Sequence, residues 1–399
     1  MRTGAPGTAG GGPVHDGGGE EHGVVARDAS EERGRSRLDD ARRGDPRRPA
    51  IAFLFLTRGP LPHAQLWARF FDGQDETTYS IFVYAPIGFL YNATTTAAPH
   101  LFSGREVRAL DPDPSPTVWG GSSLVRAERV LLRAALEATD RDNARFVLLS
   151  ESCVPVFDFP FVREYLLRGE KSFVEAALDP QLRHPGPAMA ADGVPRWAWR
   201  KGSQWFALTR DHARLVTDDD RIFGAFDRHC GVAVDRSARV ENASLEAGAS
   251  SERRGKKFCA PDEHYVPTLL TLLGRERELE NRGVTYANWW PVTRRHPKRY
   301  AVQEAREAVE TIRGKTRLDA LLDGDDARSC GYFRGVSTEA FLDEDGDEMS
   351  YPAGRLGSSE ESTDARASVQ RRPCWLFARK FTPRAGARIA RFASVVAGF

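Results

Sequence analysis

Ile51-Ala-Phe-Leu-Phe-Leu56 is where ordered character begins in this 399-residue chain, and the reading of that stretch decides the fold. The apolar run is short enough for a strand and is bounded downstream by Arg58-Gly-Pro60. A strand apolar on both faces belongs inside a mostly parallel sheet covered from both sides. From Pro62 onward, Leu66, Trp67, Phe70 and Phe71 fall on one face of a helix. Tyr79-Ser-Ile-Phe-Val-Tyr84 then supplies a second strand. Strand, helix, strand is the pattern of an α/β nucleotide-type fold.

Toward the N-terminus, residues 1–48 are rich in Gly, Arg, Asp and Glu with almost nothing to bury, so a disordered arm is expected. Downstream, Val118-Trp-Gly-Gly121 closes a Pro-rich connection. Ser122 is then placed to cap a helix carrying Leu124, Val130, Leu131, Ala134, Ala135 and Ala138. Arg145-Phe-Val-Leu-Leu149 reads as a third buried strand running into Ser150-Glu-Ser-Cys-Val-Pro155. Ligands of open α/β sheets bind at the carboxyl ends of strands, which makes Ser150 to Cys153 a site candidate. A plain strand-to-helix turn explains the same break equally well, given Pro155 and Asp158-Phe-Pro160.

Lys171-Ser-Phe-Val-Glu175 reads as a further strand. Trp197, Trp199, Arg200 and Lys201 then cluster before Gly202-Ser-Gln-Trp-Phe206. Aromatics beside basic groups suit sugar or base contacts, and they also serve as core flaps. Residues 231–257 read as a polar surface loop. In Phe258-Cys-Ala-Pro-Asp-Glu-His-Tyr-Val-Pro267 the proline opens a helix with Asp262 and Glu263 in its first turn. Val266, Leu269, Leu270 and Leu273 form its apolar face. Taken alone, two carboxylates there are a charged helix start favoured by the dipole. Thr285-Tyr-Ala-Asn-Trp-Trp290 reads as a short aromatic strand before basic Arg294 to Arg299. Residues 335–371, acidic and rich in Ser and Gly, are expected to be a flexible insertion. Trp375 to Phe377 then form a strand with Arg379 and Lys380 at its end. The expected layout is one α/β domain over 49–334, the insertion, and a C-terminal segment, 372–399, that completes the site.

With 57 basic and 56 acidic side chains the formal net charge is +1, which argues against a dedicated nucleic-acid binder. No apolar run approaches the ~20 residues of a membrane span, and the start has no signal-peptide core. A soluble chain is expected, with any membrane anchor lying outside it. The five cysteines contain no C-x-x-C pair, so a zinc site is not expected. Cys230 with Cys259, and Cys330 with Cys374, could each close a loop and leave Cys153 free. Five reduced thiols fit the spacing as well. The sequons Asn92-Ala-Thr94 and Asn242-Ala-Ser244 tilt slightly toward the secretory pathway.

Six blocks in order carry a resemblance. They are Phe55-Leu-Thr-Arg-Gly-Pro60, Val118-Trp-Gly120, Leu148-Leu-Ser-Glu-Ser-Cys-Val-Pro155, Arg200-Lys-Gly-Ser-Gln-Trp-Phe206, Asp262-Glu-His-Tyr265 and Leu376-Phe-Ala-Arg-Lys-Phe381. Together they resemble the plant and algal branch of the core-2/I-branching β-1,6-N-acetylglucosaminyltransferase family, glycosyltransferase family 14. The resemblance implies a GT-A-type fold, a UDP-sugar donor, a glycan or glycoprotein acceptor, and inversion without a metal or other cofactor.

On that resemblance Glu263 aligns with the base that takes the acceptor hydroxyl's proton, and Asp262 is a capping or supporting carboxylate. Lys380 matches the family's diphosphate lysine, with Arg379 beside it. Arg328 is the candidate for the second basic residue. Glu151, Ser150, Lys201 and Trp205 are expected to line the cleft. Where many GT-A enzymes hold a metal with Asp-x-Asp, this chain reads Ser150-Glu-Ser152. Asp111-Pro-Asp113, Asp218-Asp-Asp220 and Asp323-Gly-Asp325 sit in polar loops and read as solvated turns. Fixed positive charge on the diphosphate would replace the metal. Family members act in the Golgi lumen and use GlcNAc, xylose or glucuronic acid. The competing expectations are a catalytically silent carbohydrate-binding relative and a cytosolic nucleotide-sugar-binding protein.

Overall fold

The computed structural model describes residues 48–113, 115–179, 183–231, 256–289, 296–315 and 373–396. Expectations placed on the arm before residue 48, the second sequon, Asp323-Gly-Asp325, Arg328, Cys330 and the 335–371 insertion lie outside the described residues.

The strands are β1 (Pro49–Leu56), β2 (Tyr79–Tyr84), β3 (Asp142–Ser150), β4 (Val154–Pro155), β5 (Ala177–Leu178), β6 (Arg200–Lys201), β7 (Ala207–Thr209), β8 (Cys230–Gly231), β9 (Lys257–Phe258), β10 (Thr285–Ala287) and β11 (Phe377–Arg379). Helices of eight residues or more are α1 (Ala64–Phe71), α2 (Ser122–Glu137), α3 (Phe159–Arg168), α4 (Arg210–Asp218), α5 (Arg221–His229), α6 (Pro261–Leu272), α7 (Ala305–Gly314) and α8 (Pro383–Val396). The main sheet runs β2-β1-β3-β7, parallel except for β7. A second sheet runs β10-β11-β4, with β11 parallel to β10 and antiparallel to β4.

The apolar run of β1 is buried on both faces, as its composition demands. Ile51, Phe53 and Phe55 pack with Trp67, Phe70 and Phe71 of α1 and with Phe159 and Val162 of α3. The alternate residues Ala52, Leu54 and Leu56 pack with Val130, Leu131 and Ala134 of α2. Phe55 meets Trp67 edge-on at 5.1 Å and Phe53 meets Phe71 at 5.0 Å. Each such fully buried side chain contributes about 1.5–3 kcal/mol, which makes β1 the anchor of the sheet.

The chain leaves β1 for β2 on one side and returns as β3 on the other. The carboxyl ends of β1 and β3, where Leu56 pairs with Ser150, therefore form the switch point at which such sheets bind ligands. The second sheet joins that edge, because β4 follows the turn after β3. Over it, Val309 and Ile312 of α7 and Ile389 and Ala393 of α8 pack with Val154, Ala378 and Phe381.

Four local expectations are corrected. Lys171–Glu175 forms only isolated bridges, Ser172 to Leu279 and Phe173 to Ala207. The Ser172 hydroxyl there bonds the His212 ring (2.7 Å) and the Thr209 N–H (2.8 Å), ending the ladder. Gly121, not Ser122, is the N-cap of α2, without a side-chain cap. The strand expected at Trp375–Phe377 lies at Phe377–Arg379, so Arg379 is within it. Leu273 caps the end of α6 and is exposed, beyond the buried Val266, Leu269 and Leu270.

Candidate active site

Glu263 enters the site from the first turn of α6. That turn is set by Ala260, an N-cap in the left-handed region (φ 46°), a conformation costly for a residue with a side chain. Two ties hold it: Cys259 is disulfide-bonded to Cys230, and β8 pairs with β9 just ahead of it. Glu263 Oε2 lies 2.9 Å from Lys201 Nζ and 3.4 Å from an Arg183 nitrogen. Burial acts to raise this carboxyl's pKa, but the Lys201 and Arg183 charges outweigh it and hold it below the usual range.

A second carboxylate, Asp179, supports this arrangement from beneath. Its fully buried side chain accepts the Arg183 backbone N–H (2.7 Å), faces His264 Nε2 (3.3 Å) and accepts from Trp199 Nε1 (3.4 Å). The Arg183 guanidinium stands 3.6 Å from it. Against the effect of burial, the His264 and Arg183 bonds hold Asp179 far below the ordinary carboxylate range. Arg183 is thus shared between Asp179 and Glu263. Trp199 stacks on His264 (4.5 Å) and Phe226 (5.3 Å), so this tryptophan is core, whereas Trp197 is exposed.

The segment Arg200 to Phe206 floors the site. Gly202 donates its N–H to the Glu263 carbonyl (2.8 Å), and a Cβ there would stand 1.9 Å from the Glu175 carbonyl oxygen, so only glycine fits. Gln204 donates to buried Glu128 of α2 (2.7 Å), whose carboxyl burial pushes well up. Asp262 is pushed up to about 7 by burial, with the Glu263 charge adding. Its Oδ1 is buried without a hydrogen-bond partner, and the start of α6 carries no side-chain cap.

The same segment meets the basic strand β11 through Trp205. The Arg379 guanidinium lies 4.2 Å over its ring, and Trp205 is 6% exposed. Lys380 follows β11 across a cis peptide bond with Arg379. Its carbonyl accepts the Tyr300 N–H (2.7 Å), and the Phe381 N–H reaches the Ser152 carbonyl (3.4 Å). Burial and then the charges of Arg379 and Arg58 push the Lys380 ammonium down to about 8. Arg58, after β1, grips Glu151, after β3, through Nε (3.0 Å) and a terminal nitrogen (2.8 Å).

The structure thus forms two groups, Glu263 with Lys201 and Arg183, and Lys380 with Arg379, Arg58 and Glu151; the segment Arg200 to Phe206 touches both, through Lys201 on Glu263 and through Trp205 under Arg379. Ser150 turns its hydroxyl away from both. Its hydroxyl is buried within the turn against Ser152 Oγ (3.0 Å) and Cys153 Sγ (3.3 Å). Of the Asp-x-Asp pairs read as solvated turns, Asp111 is corrected: its side chain is buried against Tyr84, Arg108 (3.2 Å) and Arg126 (3.2 Å), while Asp113 pairs with Arg126. Asp218 and Asp220 are exposed, as a solvated turn requires, and Asp219 between them accepts the Ile222 and Phe223 N–H groups of α5 and the Tyr265 hydroxyl, each at 2.9 Å. Among the described residues no group of three or more His, Cys, Asp or Glu side chains is arranged to hold a metal ion.

Sequence reasoning assigned no role to Asp179, Arg183, Glu128 or Arg58. Only Arg58 carried a signal, its place directly after β1. Trp119, 59% exposed and stacked on Phe258 at 6.1 Å, adds an aromatic surface beside the entry to α6. Cys374 is also disulfide-bonded, and Cys153 is free and buried. No described helix is long and apolar enough to cross a membrane.

Chemically, these residues offer a carboxylate held ionised by two cations and a second group in which cations outnumber Glu151. A family model described as Core-2/I-Branching enzyme matches residues 51–312. The chain is 31% identical over 360 residues to glycosyltransferase BC10 of Oryza sativa subsp. japonica, covering 88% of this chain and 78% of that protein.

Proposed function

The chain belongs to the core-2/I-branching enzyme family, and from that premise we propose that it is an inverting, metal-independent glycosyltransferase of GT-A type using a UDP-sugar. GlcNAc is the leading donor, with UDP-glucuronic acid and UDP-xylose as the alternatives within the family. The acceptor is a hydroxyl of a glycan or glycoprotein. The observation that carries this reading is the ionised Glu263 at the mouth of α6, across the floor segment from Arg379 and Lys380.

In this mechanism Glu263 accepts the acceptor hydroxyl's proton as the oxygen attacks the anomeric carbon from the face opposite UDP. The bond to the UDP oxygen breaks, and the charge that develops there is met by Lys380 and Arg379. Those cations do the work of a metal, and Glu151 stands where Asp-x-Asp would. Lys201 and Arg183 keep the base ionised, and Asp179 and His264 fix Arg183 and the helix start. Trp205 holds the Arg379 guanidinium in place by its ring.

A Golgi-lumenal site of action belongs to the same proposal. The disulfides at Cys259 and Cys374 and the exposed Asn92 sequon support it, because disulfides persist in oxidising compartments. Membrane association through an anchor outside this chain is compatible with it.

The test is UDP release from a panel of UDP-sugars with mixed glycan acceptors, with and without EDTA. Turnover with one donor that survives EDTA is expected. Loss with EDTA and recovery with manganese would overturn metal independence. UDP binding without any turnover would favour the silent carbohydrate-binding relative.

A further inference from the structure

Arg58 and Glu151 leave the sheet side by side, one residue beyond Thr57 and one beyond Ser150, across the switch point between β1 and β3. The pair is lopsided. The Arg58 side chain is 79% exposed and Glu151 only 16%, so a sheltered carboxylate holds an exposed guanidinium at the carboxyl ends of the two strands. Other cations gather at the same place. The Tyr300–Lys380 and Phe381–Ser152 backbone bonds bring the Arg299–Tyr300 and Arg379–Lys380 segments against the turn after β3. Lys380 feels the charges of Arg379, Arg58 and Arg299 as well as that of Glu151. Four cations therefore collect with Glu151 at the carboxyl ends of β1 and β3, where such sheets bind ligands.

We infer that Arg58 is a further ligand of the donor diphosphate, held in line by Glu151 while the site is empty and handed to a phosphate oxygen when the donor enters. The inference rests on the nucleotide-diphosphate reading of the donor given above. A guanidinium fork matches phosphate oxygens as well as it matches a carboxylate. An exposed ion pair is weak, so the exchange of partners is easy. A diphosphate bears more charge than one carboxylate, and Lys380 and Arg379 already favour its arrival. Glu151, once released, is free to accept a hydrogen bond from a donor hydroxyl.

The experiment is calorimetric titration of the full chain with inorganic pyrophosphate, with UDP, and with uridine as a phosphate-free control. The proteins are wild type, Arg58→Ala, Glu151→Gln, the double variant and Lys380→Ala. Arg58 lies at the surface, so its removal leaves the fold intact, checked by circular dichroism. Arg58→Ala is expected to weaken pyrophosphate and UDP by about tenfold or more, the scale of a charge-assisted bond. Glu151→Gln is expected to tighten pyrophosphate by about two- to fivefold, the scale of an exposed ion pair. That gain disappears in the double variant, and uridine binding stays the same throughout. Unchanged pyrophosphate affinity in Arg58→Ala, with a clear loss in Lys380→Ala, overturns the inference and leaves the donor reading standing. No loss in either variant overturns both. Weaker pyrophosphate binding in Glu151→Gln overturns the exchange of partners.

Discussion

The two charged groups of the candidate site, one around Glu263 and one around Lys380, are built on opposite electrostatic plans. At the base end, Lys201 and Arg183 face Glu263 and Asp179, and every one of these charges is engaged by an opposite one within the fold. At the donor end, Arg58, Arg299, Arg379 and Lys380 collect with Glu151, and positive charge is in excess. The contrast fits the proposed mechanism. There a neutral acceptor hydroxyl calls for a carboxylate already ionised, and the Glu263 end is balanced before anything binds. An anionic leaving group would bring its own charge, and the Lys380 end is positive without it. Preorganised charge of this second kind contributes most when the developing negative charge appears next to it.

The largest effect is expected from removing the tie that makes the base end rigid. Replacing Cys230 and Cys259 together by Ala opens a loop with a sequence separation of 29. On the chain-entropy estimate this costs about 3 to 4 kcal/mol of stability. Thermal unfolding checks it, and UDP affinity measured below the transition should change far less than turnover. Equal losses at both ends would break the comparison.

Glu263→Gln comes next and should lower turnover by about 10²-fold or more, the usual scale for a general base, with UDP affinity retained. Near-normal turnover would remove Glu263 from the mechanism. Lys380→Ala should do the reverse, weakening UDP by about tenfold or more as a charge-assisted contact is lost. Calorimetry reads it. Because the Lys380 ammonium is pushed down to about 8, its charge is present below that pH and lost above it. UDP affinity should therefore decline as pH rises through about 8, and Lys380→Arg should flatten the decline.

The smallest and most discriminating effect is expected from Lys201→Met. Lys201 helps hold the Glu263 carboxyl down, so its removal raises that pKa. The base works only when ionised, so the acid limb of the kcat/KM profile should move to higher pH. An unmoved limb would show that Arg183 alone sets the charge of the base.

The legible parts of this molecule were those whose cause lies in neighbouring residues. β1 and β3 were readable because runs such as Phe53-Leu-Phe-Leu56 are buried on both faces, and α1 because Leu66, Trp67, Phe70 and Phe71 recur at helical spacing. Glu263 and Lys380 were singled out by the short blocks around them, and the structure sets each among charged neighbours. The illegible parts depend on distant partners. Arg183 reaches Glu263 across a separation of 80 residues, and Arg58 reaches Glu151 across 93. Glu128, between Ala127 and Arg129 on a charged helix, resembles a solvated residue until Gln204, 76 residues later, folds onto it. Asp111 looked like a solvated turn for the same reason. Nothing beside it in sequence shows that Tyr84 and Arg126 will close over it. Ser150 failed differently: its position at the strand end was right, but Ser152 and Cys153 take up its hydroxyl.

The place of β11 in the second sheet imposes a schedule on the making of the protein. β10 and β4 are made first, and each has a flank waiting for Phe377–Arg379, which arrive long after Glu263 has left the ribosome. Until then the second sheet lacks its middle strand, and Glu263 exists without the Arg379–Lys380 pair. A product cut short before Phe377 carries two open strand edges, the feature by which chaperones, proteases and aggregates capture incomplete proteins.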